Sequence, residues 1–412
     1  MRLLHTADWH LGQTFYEYDR TYEQKAFLDW LIETMQTHKV DALIMSGDVF
    51  DVSNPSAASV SLFYRFLSDA TRVMPHLQVV VTAGNHDSPS RLEAPKPLLE
   101  AMNIAIVGTV ERTPDGDTDY DKLIVPLKDG NGVVTAWCMA IPFLRNGDYP
   151  ALLDAAAPYA EGVAELYKET YRRALARIQP GQAIIAMGHL HTSGAEISEQ
   201  DKSERLILGG VELIPGSAFD DNIAYTALGH IHRPQKIGGR DNVRYSGSPI
   251  PMSFSEVNYK HQVVLVDIEN GRNVGQQILS IPVTVPLLRI PARPGPLTEA
   301  LTELCMLPLA DGPMELAPYL EVRVLLDGPE PALRYKIEQA IDRRYVRLAR
   351  IDVRYPNAAP EEKQHLTVDE LNRLMPVDVF KKIYESKYNA EAPAVLVQLF
   401  NEVSQAVSGK EA

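Results

Sequence analysis

Four stretches of this chain share one construction: a short apolar run, a glycine, and then at once an aspartate, an asparagine or a histidine. They read "VDALIMSGD", "LQVVVTAGN", "AIIAMGH" and "IAYTALGH", ending on Asp48, Asn85, His189 and His230. Each run is apolar at successive positions where a half-exposed strand would alternate, so each predicts a strand covered on both faces. Helical patterns lie between them, the signature of a layered α/β architecture. In such sheets the residues just beyond the carboxyl ends of the strands share one rim. Glycine lets the chain turn sharply there and leaves space beside it. The opening run "MRLLHTADWH" adds Asp8 and His10 to that rim, and His86 and His232 follow closely behind Asn85 and His230.

Asp8, His10, Asp48, Asn85, His189, His230 and His232 offer oxygen and nitrogen donors without sulfur. Such a set is enough for two divalent ions, each left with an open position. Asp48, alone on its strand, is the natural bridge. Two aspartates against two divalent ions leave the filled site at about +2, a local attraction for phosphate. Two ions roughly 3.5–4 Å apart stabilise both the attacking and the leaving oxygen of an in-line displacement at phosphorus. The reaction class is therefore phosphoester hydrolysis. His86, in a tight turn beside a ligand, is expected to face the substrate, as a phosphate contact or as the acid that protonates the leaving oxygen. Asp51 and Asp87 read either as orienting carboxylates or as turn residues. His5, His38, His76, His191, His261 and His365 read as ordinary hydrogen-bonded histidines, although "GHLH" copies the spacing of "GHIH".

A formal charge of −14 excludes nucleic-acid affinity through a broadly basic surface, so a polyanionic substrate must be met by local charge. At 412 residues and 45% hydrophobic content, two or three domains with a real core are expected. No apolar stretch approaches the roughly 18 residues of a membrane helix and no charged-then-apolar leader opens the chain, which predicts a cytoplasmic protein with no membrane partner. Cys138 and Cys305 flank no metal-like spacing, so neither a disulfide nor a thiolate zinc site is expected.

The first domain is expected over residues 1–279. Within it, Asn54 with Pro55 and Ser88 with Pro89 read as N-cap and first-turn proline pairs opening helices. A proline-rich stretch from Ser280 to Leu297 opens a small α/β domain, residues 280–356. Its pattern is strand, helix from about Leu297 to Leu307, strand, helix from about Ala332 to Tyr345, strand. Residues 357–412 are expected to form C-terminal helices, with a capping box at Thr367 and Glu370 and a stripe of Leu396, Leu399, Phe400, Val403 and Val407. That stripe suits partner docking, and helices packing on their own domain would carry the same pattern. Seven basic residues between Arg334 and Arg354 suit either a DNA backbone or a solvated helix face. The chain contains no G-x-x-x-x-G-K-[ST] loop, so any ATP dependence must come from another chain.

The ordered set "DWH", "GDVFD", "GNHD", "GHL" and "GHIH" resembles the calcineurin-like metallophosphoesterase superfamily. The fuller strings "LLHTADWHLGQ", "ALGHIHRPQ" and "VRYSGSPIPMSFSE" are similar, more narrowly, to the SbcD family of bacterial nucleases, over essentially the first 285 residues. The resemblance implies a layered β-sandwich core flanked by helices, a small α/β capping domain over a DNA groove, and C-terminal helices. It implies that Asp8, His10, Asp48 and His232 hold one manganese ion and Asp48, Asn85, His189 and His230 the other, with His86 as catalytic acid or phosphate-positioning residue. It implies a DNA exonuclease and endonuclease, a homodimer through helices near residues 55–72 and 90–102, and a heterotetramer with an SbcC-type ATPase bound through the C-terminal helices. The alternatives are a phosphomonoesterase or small-molecule phosphodiesterase, because such a site sets the reaction and leaves the substrate open, and a scaffold with structural metals. The long extension beyond the first domain favours a large substrate or a partner, and a scaffold has no use for His86.

Overall fold

Residues 1–152, 155–196, 213–356, 377, 379–381, 384, 388, 392–394 and 396–400 are described by the computed structural model. They fall into two units, Met1–Thr284 and Val285–Ala412. In the first, β1 (Arg2–Thr6), β2 (Ala42–Ser46), β3 (Gln78–Thr82) and β4 (Ile104–Val107) run parallel. The antiparallel pair β11 (Gln262–Glu269) and β12 (Arg272–Ser280) extends this sheet beyond β1, giving the order β12-β11-β1-β2-β3-β4. A second six-stranded sheet joins β5 (Ile124–Lys128), β6 (Val134–Ala140), β7 (Ala183–His189), β8 (Tyr225–Gly229), β9 (Gln235–Ile237) and β10 (Arg240–Tyr245) in the order β5-β6-β7-β8-β10-β9.

The continuous apolar runs follow from this layering. Leu3, Ala42, Ile44 and Val80 face the second sheet and pack in one core with Cys138, Ile185, Tyr225 and Ala227. The alternate residues Leu4, Leu43, Met45, Val79 and Val81 face outward, onto helices α1 (Thr21–Thr37) and α2 (Ala57–Val73). Helix α5 (Pro158–Leu175) covers the second sheet through Val163, Leu166 and Tyr167. A strand with helices on one side and a second sheet on the other has no face left for polar residues. The result is the sandwich flanked by helices that the motifs suggest. No described helix is long and apolar enough to cross a membrane.

Two boundaries of the first unit differ from the sequence reading. Helix α2 is capped by Ser56, whose Oγ accepts from Ser59 N at 3.1 Å, and not by Asn54. Ser88 does precede a short helix, α3 (Pro89–Glu93), without a side-chain cap; α4 (Lys96–Glu100) follows. The first unit also runs past residue 279 to Thr284, because Ile281 N bonds the His261 carbonyl and its side chain is buried in the core of the first sheet.

The second unit contains the expected alternation: β13 (Leu287–Pro296), α6 (Leu297–Cys305), β14 (Tyr319–Leu325), α7 (Leu333–Ala340) and β15 (Arg347–Arg354), with the strands parallel in the order β13-β14-β15. Its core is Ile290, Ala300, Leu304, Leu320, Val322, Val324, Ile337 and Val346. Helix α7 ends at Ala340, short of Tyr345, and the chain turns left-handed at Arg343, φ 57°. Basic residues of this region are tied to acidic neighbours: Arg334 to Glu338 at 2.8 Å, Lys336 to Glu330 at 2.8 Å, Arg350 to Glu321 at 3.2 Å and Arg354 to Asp352 at 3.2 Å. Thr367, Glu370, Val403 and Val407 lie outside the described residues. Phe380 and Phe400 stack at 4.6 Å, so part of the C-terminal stripe packs within its own unit, while Leu399 is 54% exposed.

One histidine ties the two sheets together. His5 of β1 is fully buried, its Nδ1 lies 2.8 Å from the Tyr225 hydroxyl of β8, and burial pushes its pKa down to about 3. The unfolded chain takes up this proton below about pH 6.5, whereas the folded one resists it until about pH 3, so stability is full above that window and falls as pH descends through it. Between pH 6.5 and 5 this single group removes about 2 kcal/mol. A His5→Gln protein, compared with the parent by urea unfolding at pH 7 and pH 5, is expected to lose about 2 kcal/mol less. Equal losses would mean that His5 protonates within the fold.

Candidate metal centre

The rim of the sandwich is built by β1 and β2 continuing to pair after both strands end. Asp8 N bonds the Gly47 carbonyl, His10 N the Asp48 carbonyl and Leu11 N the Val49 carbonyl, at 3.1, 3.1 and 2.9 Å. Asp8, His10 and Asp48 have φ of 55°, 46° and 50°, and His230, beyond β8, has 98°. Such left-handed residues cost on the order of 1–3 kcal/mol each and persist only where the surroundings over-determine them. Trp9 supplies part of that constraint. Between Asp8 and His10 it points away from the rim, is 1% exposed, and stands edge-on to Phe27, Phe63 and Phe66 at 5.5, 6.2 and 5.1 Å. Each such pair contributes roughly 0.5–1.5 kcal/mol beyond the area it buries. With Trp9 locked outward, its two neighbours turn inward.

Two of the glycines are required by close approach. A Cβ on Gly84 would lie 2.1 Å from Asp48 Oδ1, and one on Gly47, φ 83°, would lie 2.1 Å from His189 Nδ1. The second contact shows how the two sheets meet, since His189 reaches across from β7 and its Nδ1 donates to the Ser46 carbonyl of β2 at 2.9 Å. That bond leaves His189 Nε2 facing two acceptors, Asn85 Oδ1 at 2.9 Å and Asp48 Oδ2 at 3.3 Å. His230 Nδ1 also lies 3.1 Å from Asn85 Oδ1, and His230 N donates to Asp8 Oδ1 at 2.8 Å. On the other side Asp48 Oδ2 is 3.5 Å from His10 Nε2, and Asp8, His10 and His232 bring ligand atoms within 4.8 Å of one another. All seven predicted ligands thus gather in one place. One group is Asp8, His10 and His232, the other Asn85, His189 and His230, and a single oxygen of Asp48 lies between them.

The donor set suits a divalent cation. Asp8 Oδ2 and both ring nitrogens of His10 are buried and make no hydrogen bond, a costly arrangement for polar atoms unless an ion completes it. Charge tells the same story. Burial pushes the Asp8 carboxyl up. At Asp48 burial acts in the same direction but is outweighed by His189, His10 and His86, which hold it well below the usual carboxylate range. At His189 burial is overcome by Asp48, Asp8 and the Ser46 carbonyl, and its pKa is pushed up to about 9. The acidic cluster thus demands a positive charge at His189 Nε2, and a divalent ion can take the place of that proton.

His86 lies beside His10, ring centres 4.8 Å apart, and within the same 4.8 Å of His10 and Asp48 ligand atoms. Its backbone N donates to Asp48 Oδ1 at 2.9 Å and its Nδ1 to the Asp51 carbonyl at 2.6 Å. Nε2 is therefore left to meet a ligand, and burial lowers its pKa. Asp51 also places Oδ1 3.3 Å from His10 Nδ1. Asp87 points elsewhere: its carboxylate accepts from Val49 N, Phe50 N and Gly84 N at 3.1, 3.0 and 2.8 Å, clamping the loops after β2 and β3 to each other. His191, read as ordinary, stands with its ring 6.3 Å from that of His230. Glu256 closes the string "VRYSGSPIPMSFSE", which gives it no role. It is 1% exposed, and its Oε1 lies 3.1 Å from His232 Nδ1. The only local trace is Ser253 three residues earlier, which caps the turn Phe254–Glu256 through Ser255 N at 3.3 Å.

Residues 1–234 match the family model for calcineurin-like phosphoesterases, and residues 283–388 match that for the type 5 capsule protein repressor C-terminal domain. The SbcD subunit of the SbcCD nuclease of Rhodobacter capsulatus is 40% identical over 87% of this chain and 89% of its own length. The protein of the same name from Escherichia coli K12 is 40% identical over 70% of each chain, and that of Bacillus subtilis 29% identical over the full length of both. With a phosphoesterase model over more than half its length and a relative this similar, the chain belongs to the calcineurin-like phosphoesterase family and, within it, to the SbcD group of metal-dependent nucleases.

Proposed function

We propose that this chain hydrolyses DNA phosphodiester bonds, as exonuclease and endonuclease, with two manganese ions shared through Asp48, acting beside an SbcC-type ATPase in the processing of DNA ends and hairpins. The observation that carries the reading is the single Asp48 oxygen lying 3.5 Å from His10 Nε2 and 3.3 Å from His189 Nε2, between two sets of nitrogen and oxygen donors. Asp8, His10, Asp48 and His232 would hold one ion, and Asp48, Asn85, His189 and His230 the other. When bound, divalent ions supply Lewis-acid polarisation of the phosphate and acidify water near neutral pH. The chain's own residues do the rest. The Asp51 carbonyl fixes one proton on His86 Nδ1, so Nε2 is the atom turned to the substrate; when the ring takes up a second proton there, the imidazolium donates to the phosphate and gives that proton to the leaving oxygen. The Asp48 carboxylate holds the His86 backbone, and Asp87 holds the loop that carries it.

The name shared by the relatives, that of one subunit of an SbcCD nuclease, supports a partner subunit; that this partner is an ATPase and docks on the C-terminal residues is part of the proposal. Residues 285–356 are proposed as the capping domain. We also propose a homodimer through the region of α2 to α4, within a heterotetramer in the cytoplasm; Leu98 of α4, 73% exposed, suits such a contact. The test is a cleavage assay on linear duplex and hairpin DNA with manganese, with and without the ATPase and ATP, alongside a small phosphomonoester. DNA cleavage that exceeds monoester turnover is expected, and the reverse ordering would sink the nuclease reading. Deleting the residues after Pro356 should abolish co-purification with the ATPase while leaving simple cleavage.

A further inference from the structure

Glu256 is a buried carboxylate that closes the string "VRYSGSPIPMSFSE" and to which the sequence assigns no role, and its three partners suggest why it is there. We propose that Glu256 is a positioning residue: it holds His232 in the tautomer with the proton on Nδ1 and so presents the Nε2 lone pair to Asp8 and His10. The proposal deepens the metal-centre reading above and rests on it. Glu256 Oε2 accepts from Met252 N at 3.0 Å and from Ser248 Oγ at 3.2 Å, and Oε1 faces His232 Nδ1 at 3.1 Å. A carboxylate oxygen only accepts, so the proton between Oε1 and the ring must sit on Nδ1. In a neutral imidazole the other nitrogen is then a bare lone pair, the form in which histidine binds a cation. His232 is one of the three residues, with Asp8 and His10, whose ligand atoms lie within 4.8 Å of one another.

The carboxylate is itself held from several sides. The Pro251 carbonyl accepts from Arg20 Nη1 at 2.6 Å and the Met252 carbonyl from Gln13 Nε2 at 3.2 Å, which moors the turn to the loop that leads from Asp8 into α1. Ser248 N bonds the His232 carbonyl at 3.2 Å, joining both residues through the backbone. A purely structural acid could be replaced by its amide with little consequence. Here the amide fails for a stated reason. Met252 N is an obligate donor, so a glutamine must turn its oxygen that way and its NH2 group towards His232 Nδ1. The ring would then have to accept at Nδ1 and carry its proton on Nε2, the atom that should meet the cation.

The experiment uses the full-length protein, metal-free and labelled with 15N-histidine, read by long-range 15N–1H correlation, with His232 assigned from a His232→Gln protein. The parent is expected to carry the His232 proton on Nδ1 and E256Q to carry it on Nε2. Calorimetric titration with Mn2+ is expected to show one binding step weakened about 10- to 100-fold in E256Q, with circular dichroism unchanged. A parent ring protonated on Nε2 overturns the proposal even if the variant fails to fold. An E256Q protein that keeps the parent tautomer and binds Mn2+ within about threefold of the parent overturns it as well. The tautomer is read without metal, so failure of the parent to take up Mn2+ would instead overturn the metal-centre reading on which the proposal stands.

Discussion

An Asp48→Ala protein is expected to retain neither divalent ion of the proposed pair and to lose at least about 10³-fold in DNA hydrolysis, since metal centres of this kind supply several kcal/mol of transition-state stabilisation. The reason lies in the position of the carboxylate. Its Oδ2 is the contact common to the Asp8–His10–His232 group and the Asn85–His189–His230 group, and its Oδ1 is the acceptor for His86 N. Removing it leaves each group one ligand short and takes away a negative charge that raises the His189 pKa. Metal analysis of the purified protein checks the claim. Two ions retained would show that Asp48 is not shared, and one ion retained would assign it to a single group.

His86→Gln should behave differently, keeping both ions and losing about 10²- to 10⁴-fold in turnover, the range ordinarily lost with a general acid. Glutamine can still donate towards the Asp51 carbonyl that now holds Nδ1, so the turn after β3 is expected to survive. It cannot pass a proton. Because His86 also lies within ligand distance of His10 and Asp48, the same measurement separates two roles. A fall from two ions to one would make His86 a ligand, and an unchanged rate with both ions bound would remove it from the chemistry altogether.

The pattern of glycine followed by Asp, Asn or His was legible because the fold repeats it. A parallel strand covered on both faces is apolar along its length, so its first chemically useful position lies at or just past its end, and the chain spells that out at Asp48, Asn85, His189 and His230. The second unit was legible for the same kind of reason, strand and helix periods alternating from β13 to β15. Where the reading slipped, the cause was local: Ser56 rather than Asn54 closes the first turn of α2, and a left-handed Arg343 follows the early end of α7.

Other features depended on segments far apart in the chain. Nothing near Glu256 says that it will meet His232, 24 residues earlier, and nothing near Trp9 says that three phenylalanines from two helices will hold it outward. The role of Asp87 as a clamp on two loops, and of the Asp51 carbonyl as the partner of His86, likewise appeared only once β2 and β3 lay side by side. By itself the sequence determined which residue types stand at which strand ends, because hydrophobic period and glycine placement are properties of contiguous chain. The tertiary structure decided which atom of each side chain turns inward, because that is set by hydrogen bonds and packing between residues that the sequence keeps far apart.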